Sequence, residues 1–251
     1  MTAGSPERDR TMRAAIVAEA RRSIGDPLPV VRFIADLVCP WCYIAFIRLH
    51  RVLLERPATL IWHPFLLNPH LPPRGVTRVQ YLERRFGRVA QAHGGHRRLV
   101  QAGAPEGIAF AFGAIRAQPN TVPAHAIVLA AAAHGRQTEA IAALFHAFFV
   151  TGTDIGDRTA LARLGASLGL SDGGIATALG PLAAQDVTGA HERAFVLGIA
   201  GVPVCVIGED HVIAGAQPAE VLEALLDLER YRVELGAVGD ATMAAMPRNR
   251  P

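Results

Sequence analysis

The chain has 251 residues, 51% of them hydrophobic, three cysteines and a formal net charge of +3 carried mainly by arginine. That length suits one large domain or two small ones around a sizeable core, and so mild a charge does not demand nucleic acid or a membrane surface as partner. No apolar run is long enough to span a bilayer, and three cysteines do not make a secreted disulfide scaffold.

Residues 1–28 read as an N-terminal helical extension. Arg8, Arg10, Arg13, Arg21 and Arg22 surround an alanine-rich stretch anchored by Ile16 and Val17 and closed by Gly25 and Pro27. Glu7, Asp9 and Glu19 count against an organelle transit peptide, and no apolar h-region suggests a secretory signal, so the expected location is cytoplasmic.

Val30, Val31, Phe33 and Ile34 form a nearly continuous β-branched and aromatic run, the pattern of a strand buried on both faces, and Asp36 ends it. Cys39-Pro40-Trp41-Cys42 follows at once. From there Ile44, Ile47, Leu49, Val52 and Leu53 keep helical spacing, with Pro40 where a first helical turn tolerates proline. Two cysteines three apart on that turn lie on one side of a helix N-terminus and can approach closely enough to bridge. Unpaired N–H groups and the positive end of the helix dipole favour a thiolate on Cys39 by about 0.3 to 2 kcal/mol. Cys42, one turn further in, is expected to be the more buried, resolving thiol. A zinc site would need a second cysteine pair, and the only other cysteine is Cys205, so no metal is expected.

Thr59 to Leu67 reads as a second strand, with Pro64 marking an edge, a bulge or its end. His63 within it is weighed as an acid or base near the thiols, with a packed histidine the commoner outcome. From Thr77 to about Leu179 the signals are helical only: Val79 to Gly87, Arg97 to Ala102, Pro123 to His134, Thr138 to Phe149, Arg158 to Gly169 and Gly173 to Leu179. His93, His96, His125, His134 and His146 lack a carboxylate at metal-ligand spacing. Thr159 to Leu179 has the rhythm of a helix-turn-helix, but its second helix offers no Arg, Lys, Asn or Gln to read bases, so it is taken as a packed hairpin.

Helix and strand alternate again at the end. Leu182 to Ile199 is helical, Val202 to Ile207 and His211 to Ala214 are strands, and Pro218 to Tyr231 is a strong helix before a loose tail after Leu235. Proline at the entry to a strand suggests a cis Val202-Pro203 bond, which would turn the Val202 backbone outward to pair with an extended peptide or glutathione. The expected fold class is α/β with an all-helical insertion: 29–71 and 181–235 are the two strand-bearing parts, 72–180 the insertion, 236–251 a C-terminal tail.

In that order the chain resembles the DsbA-like branch of the thioredoxin superfamily, and within it the FrnE subgroup. The matching segments are Cys39-Pro-Trp-Cys-Tyr-Ile44, Pro64-Phe-Leu-Leu-Asn-Pro69, Asn120-Thr121, Ala124-His125, Thr151-Gly-Thr-Asp-Ile155, Gly198-Ile-Ala-Gly-Val-Pro203 and Gly215-Ala-Gln-Pro218. The resemblance implies a thioredoxin-like fold, with 29–71 and 181–235 as the two parts of the thioredoxin-like domain, and a thiol-disulfide oxidoreductase with Cys39 attacking, Cys42 resolving, and Pro40, Trp41, Val202 and Pro203 against the substrate. It implies no bound cofactor, glutathione as a conceivable co-substrate, protein or small-molecule thiols and disulfides as partners, and leaves a homodimer open. Ala45-Phe46 departs from the glycine and basic residue usual in the subgroup, and Cys205 from an aromatic; a buried, inert Cys205 is expected over a third redox thiol. The alternative is a glutathione-dependent isomerase or transferase like the 2-hydroxychromene-2-carboxylate isomerase and kappa-class relatives, which usually carry serine at the first cysteine position. A second alternative is a non-catalytic, chaperone-like binding module.

Overall fold

The computed structural model describes residues 28–87 and 89–244, with side chains over 28–87 and 95–235. The helix expected before Pro27 lies outside the described residues. Strand β1 (Val30–Ala35) leads through a tight turn into helix α1 (Pro40–Glu55), which returns the chain to β2 (Thr59–Pro64). β1 and β2 pair in parallel from Val30 opposite Thr59 to Ala35 opposite Pro64. A helix is the usual crossover for such a pair.

Between β2 and the end of the sheet come α2 (Arg78–Phe86), α3 (Val89–Gly103), a 3-10 turn (Ala104–Glu106), α4 (Val122–Ala132), α5 (Gln137–Phe149), α6 (Arg158–Ser167), α7 (Asp172–Ala178) and α8 (Pro181–Val196). This stretch is not purely helical, as the apolar spacing suggested. The two-residue strands β3 (Val76–Thr77) and β4 (Ala117–Gln118) pair antiparallel within it, too short to leave a periodic signal. β5 (Val204–Ile207) and β6 (His211–Ala214) complete a four-stranded sheet in the order β2-β1-β5-β6, with β5 antiparallel to both its neighbours. The last helix, α9 (Ala219–Ala244), continues past Leu235, where a loose tail was expected. No proline interrupts the chain before Pro247, and alanines at 237, 241 and 244 favour helix.

Alternation along the strands sorts the core into two sides of the sheet. Val31, Phe33 and Ala35 of β1, with Cys205 and Ile207 of β5, join the large cluster that contains Ile44, Phe46 and Leu49 of α1. Ile34 and Val204 instead pack with Phe65 and with Ala194 of α8. The expectation of a strand buried on both faces therefore holds for Phe33, Ile34 and Ala35, while Arg32 is exposed and donates to the Gly208 carbonyl at 3.1 Å. Pro64 closes β2 at the edge of the sheet, as its missing N–H requires.

The α6–α7 hairpin is packed tightly at Gly165, where an added Cβ would lie 3.0 Å from the Ile175 side chain. Apolar packing between the helices thus accounts for its helix-turn-helix rhythm.

Candidate active site: a dithiol at a helix N-terminus

Cys39 is the residue that caps α1. Its backbone is extended (φ −92°, ψ 113°), and its carbonyl accepts from the Cys42 N–H at 3.0 Å and the Tyr43 N–H at 3.2 Å. Pro40 occupies the first helical turn, where a missing N–H costs nothing. No side-chain oxygen caps the helix and no acid lies in its first turn, so the Cys39 sulfur has the cap region to itself.

The sulfur faces the far end of the chain. Cys39 Sγ donates to the Val202 carbonyl at 3.7 Å, and the Val202–Pro203 peptide is cis. The Pro203 carbonyl accepts from the Gly215 N–H at 2.8 Å, which holds the turn after β6 beside this segment. Trp41 is 42% exposed and Pro40 half-buried.

Cys39 and Cys42 are both free thiols, and both are buried, Cys42 completely. The Cys42 thiol is pushed well above the usual cysteine range, first by burial, then by its hydrogen bond to Cys39 and by the charge a Cys39 thiolate would carry. Such a pair, on one helical turn, has disulfide exchange as its natural chemistry. Cys205 is buried in the same core cluster, and burial alone pushes its thiol up to about 12.

Under the dithiol lies a buried polar chain. Asp36 is fully buried, and its carboxylate accepts from the Leu67 N–H at 2.8 Å and the Val38 N–H at 3.5 Å, while its backbone carbonyl accepts from the Cys39 N–H at 3.0 Å. His125 of α4, also fully buried, places Nε2 3.3 Å from Asp36 Oδ1, and its Nδ1 accepts from the Trp62 indole N–H at 3.0 Å. Because Nδ1 is an acceptor, the proton of the neutral ring sits on Nε2, and the imidazole donates to Asp36. His191 of α8 accepts from the Leu66 N–H at 3.2 Å, and burial lowers its pKa.

His63 does not join this arrangement. It is half-buried, its pKa lowered first by burial and then by the charges of Arg193 and Arg32, and in register it sits beside Ile34, whose side chain packs toward α8. Among the described residues no group of three or more His, Cys, Asp or Glu side chains is placed to hold a metal ion.

A family model, the DSBA-like thioredoxin domain, matches residues 30–227. The chain belongs to this family. A solved structure of a probable DsbA oxidoreductase from Streptomyces coelicolor is 27% identical, with a TM-score of 0.71 over 80% of this chain and 89% of that one. The cytosolic disulfide reductase DsbM from Pseudomonas aeruginosa (22% identity, TM-score 0.57, 82% and 98% covered) shares the fold. A 2-hydroxychromene-2-carboxylate isomerase shares it as well (18% identity, TM-score 0.62, 82% and 98% covered). No curated protein matches the chain.

Within this DSBA-like domain several motif residues brace the scaffold. Asn120 donates to the Leu71 carbonyl at 3.0 Å and accepts from the Val122 N–H at 3.0 Å, tying the loop after β2 to the start of α4. Thr151 donates to the Ala147 carbonyl at 2.8 Å, and Asp154 accepts from the Gly156 N–H at 2.8 Å. Reading the sequence missed Asp36, taken only as a strand end, and His125, weighed only as a metal ligand. Their one signal was the Ala124-His125 pair among the matching segments, and nothing in local spacing joins residues 89 positions apart.

Proposed function

We propose that this DSBA-like protein is a thiol-disulfide oxidoreductase in which Cys39 attacks and Cys42 resolves. The observation that carries the reading is the Cys39 sulfur at a helix N-terminus, 3.7 Å from the Val202 carbonyl, with the buried thiol of Cys42 on the turn that follows. In this reading a Cys39 thiolate attacks a substrate disulfide, forming a mixed disulfide and releasing one thiolate that takes a proton from water. Cys42 then loses its proton and attacks the Cys39 sulfur, closing the Cys39–Cys42 disulfide and expelling the second thiolate. Two electrons pass from the dithiol to the substrate; the reverse sequence oxidises a substrate dithiol.

The raised pKa of Cys42 suits this order, because it keeps the resolving thiol protonated until a mixed disulfide is present. In this reading Pro40, Trp41, Val202 and Pro203 would meet the substrate. In the same reading, residues 29–71 and 181–235 form the thioredoxin-like part, 72–180 the helical insertion, and the chain falls in the FrnE subgroup. Glutathione is a co-substrate of the right chemistry, and a structure of DsbM with glutathione shares this fold. The same reading takes the cytoplasm as the site of action, supported by the cytosolic DsbM that shares this fold.

The test is the redox equilibrium of Cys39 and Cys42 against graded glutathione buffers, read by alkylation and mass, with Cys39→Ser as control. One reversible two-electron couple, lost in the control, is the expected result. Absence of a Cys39–Cys42 disulfide under oxidising conditions would overturn the dithiol mechanism and direct assays to glutathione-dependent isomerisation.

A further inference from the structure

The turn that bonds to the segment facing Cys39 is held by the same helix that carries Cys39. Arg48, nine residues along α1 and with 20% of its side chain exposed, donates through Nη1 to the Ala216 carbonyl at 2.8 Å and the Gln217 carbonyl at 3.3 Å. Its Nε donates at 2.6 Å to Oε1 of Glu106, a carboxylate with only 8% exposure in the 3-10 turn after α3. The second Glu106 oxygen accepts from Arg51 at 2.9 Å. From the clamped turn, the Gly215 N–H reaches the Pro203 carbonyl at 2.8 Å, and the adjoining Val202 carbonyl accepts from Cys39 Sγ.

The partners thus form one path: Glu106, Arg48, residues 215–217, Pro203, Val202, and back to the sulfur at the start of α1. A guanidinium suits this junction because its fixed planar fork can serve a carboxylate and two carbonyls at once. A largely buried arginine that spends its donors on carbonyls of a neighbouring turn fixes that turn's distance from the helix. Gln217 reinforces it, its side-chain amide donating to the Ala214 carbonyl at 2.7 Å.

We infer that Arg48, anchored by Glu106, is a positioning residue that sets the Val202–Pro203 segment against Cys39 for docking of the disulfide substrate. The inference rests on the dithiol reading above. It assigns Arg48 to substrate docking and leaves the reactivity of the sulfur to the helix N-terminus.

The experiment compares wild type with Arg48→Gln, Arg48→Lys and Glu106→Gln, using a peptide–glutathione mixed disulfide as substrate and iodoacetamide as a probe of Cys39 alone. In Arg48→Gln the KM is expected to rise about tenfold, as for loss of charge-assisted hydrogen bonds, with kcat within about twofold and the Cys39 alkylation rate unchanged. Arg48→Lys, keeping one donor for the carbonyls, recovers part of the KM. Should Arg48→Gln not fold, Glu106→Gln, which keeps the guanidinium and weakens its anchor, decides by the same split with a smaller rise. An unchanged KM, or a KM and alkylation rate that move together, would overturn the positioning role. Failure of the wild-type glutathione titration would instead overturn the dithiol reading, so the two failures are distinct.

Discussion

The imidazole of His125 and the carboxylate of Asp36 meet at 3.3 Å with neither side chain more than 1% exposed, and this contact joins α4 to the turn from which the dithiol helix starts. A buried carboxylate is tolerated only when its lone pairs are filled. Asp36 meets that condition with two backbone N–H donors and one imidazole N–H. The Trp62 indole fixes which imidazole nitrogen carries the proton. The candidate site is therefore braced from the helical stretch as well as from the sheet.

Replacing His125 by Phe keeps the ring and removes the donor, so the carboxylate and the indole N–H both lose a buried partner. The expected cost is about 1.5 to 3 kcal/mol for the hydrogen bond to the charged group, and about 1 kcal/mol more for the neutral one. Trp62→Phe should cost less on the hydrogen-bond side, because it leaves the Asp36 contact intact. Urea midpoints at constant slope measure both. A His125→Phe variant as stable as wild type would refute the bracing role.

The exposed edge of β2 is closed by a side chain. Gln137, at the start of α5, donates to the Leu60 carbonyl at 2.8 Å and accepts from the Trp62 N–H at 3.0 Å, standing in for the peptide group of a missing strand. Gln137→Ala leaves both groups unpaired and should cost about 1 to 3 kcal/mol. Gln137→Glu keeps an acceptor for the Trp62 N–H but sets a carboxylate oxygen against the Leu60 carbonyl, so it should be no better than alanine. Denaturant melts of the two variants side by side check this, and a Gln137→Glu variant at wild-type stability would be the contrary result.

The elements that carry the dithiol were readable because their signals are local. Val30 to Ala35, Cys39 to Cys42 and the apolar spacing of α1 lie within 26 consecutive residues, and strand and helix periods suffice there. The long-range parts left traces only as family motifs. The Gly-Val-Pro and Gly-Ala-Gln-Pro segments pointed to the right region, but not to Arg48, whose guanidinium holds the second of them by the Ala216 and Gln217 carbonyls. Asp36, His125 and Glu106 act through pairs 58 to 89 positions apart, and no periodicity reports such contacts. The β3–β4 pair escaped notice for the opposite reason, being too short for any period.

Cys205 and Cys42 make the folded state sensitive to alkali. Both thiols are raised by burial above the ordinary cysteine value of 9.0, Cys205 to about 12. In the unfolded chain they lose their protons near the ordinary value, whereas the folded chain retains them, so the unfolded state is favoured as pH rises. The contribution of Cys205 is thus fully present below pH 9 and falls between about 9 and about 12, by about 1.4 kcal/mol per pH unit while its thiol stays protonated, and that of Cys42 falls in the same direction. Unfolding free energies measured from pH 8 to 11 should therefore decline. Cys205→Val, which keeps an apolar side chain of similar size in β5, should remove one proton's worth of that slope while leaving the glutathione couple of Cys39 and Cys42 in place. A slope identical to wild type in Cys205→Val would show that Cys205 ionises as readily in the folded protein as in the unfolded one. Loss of the couple in that variant would give the third thiol a redox part that its burial argues against.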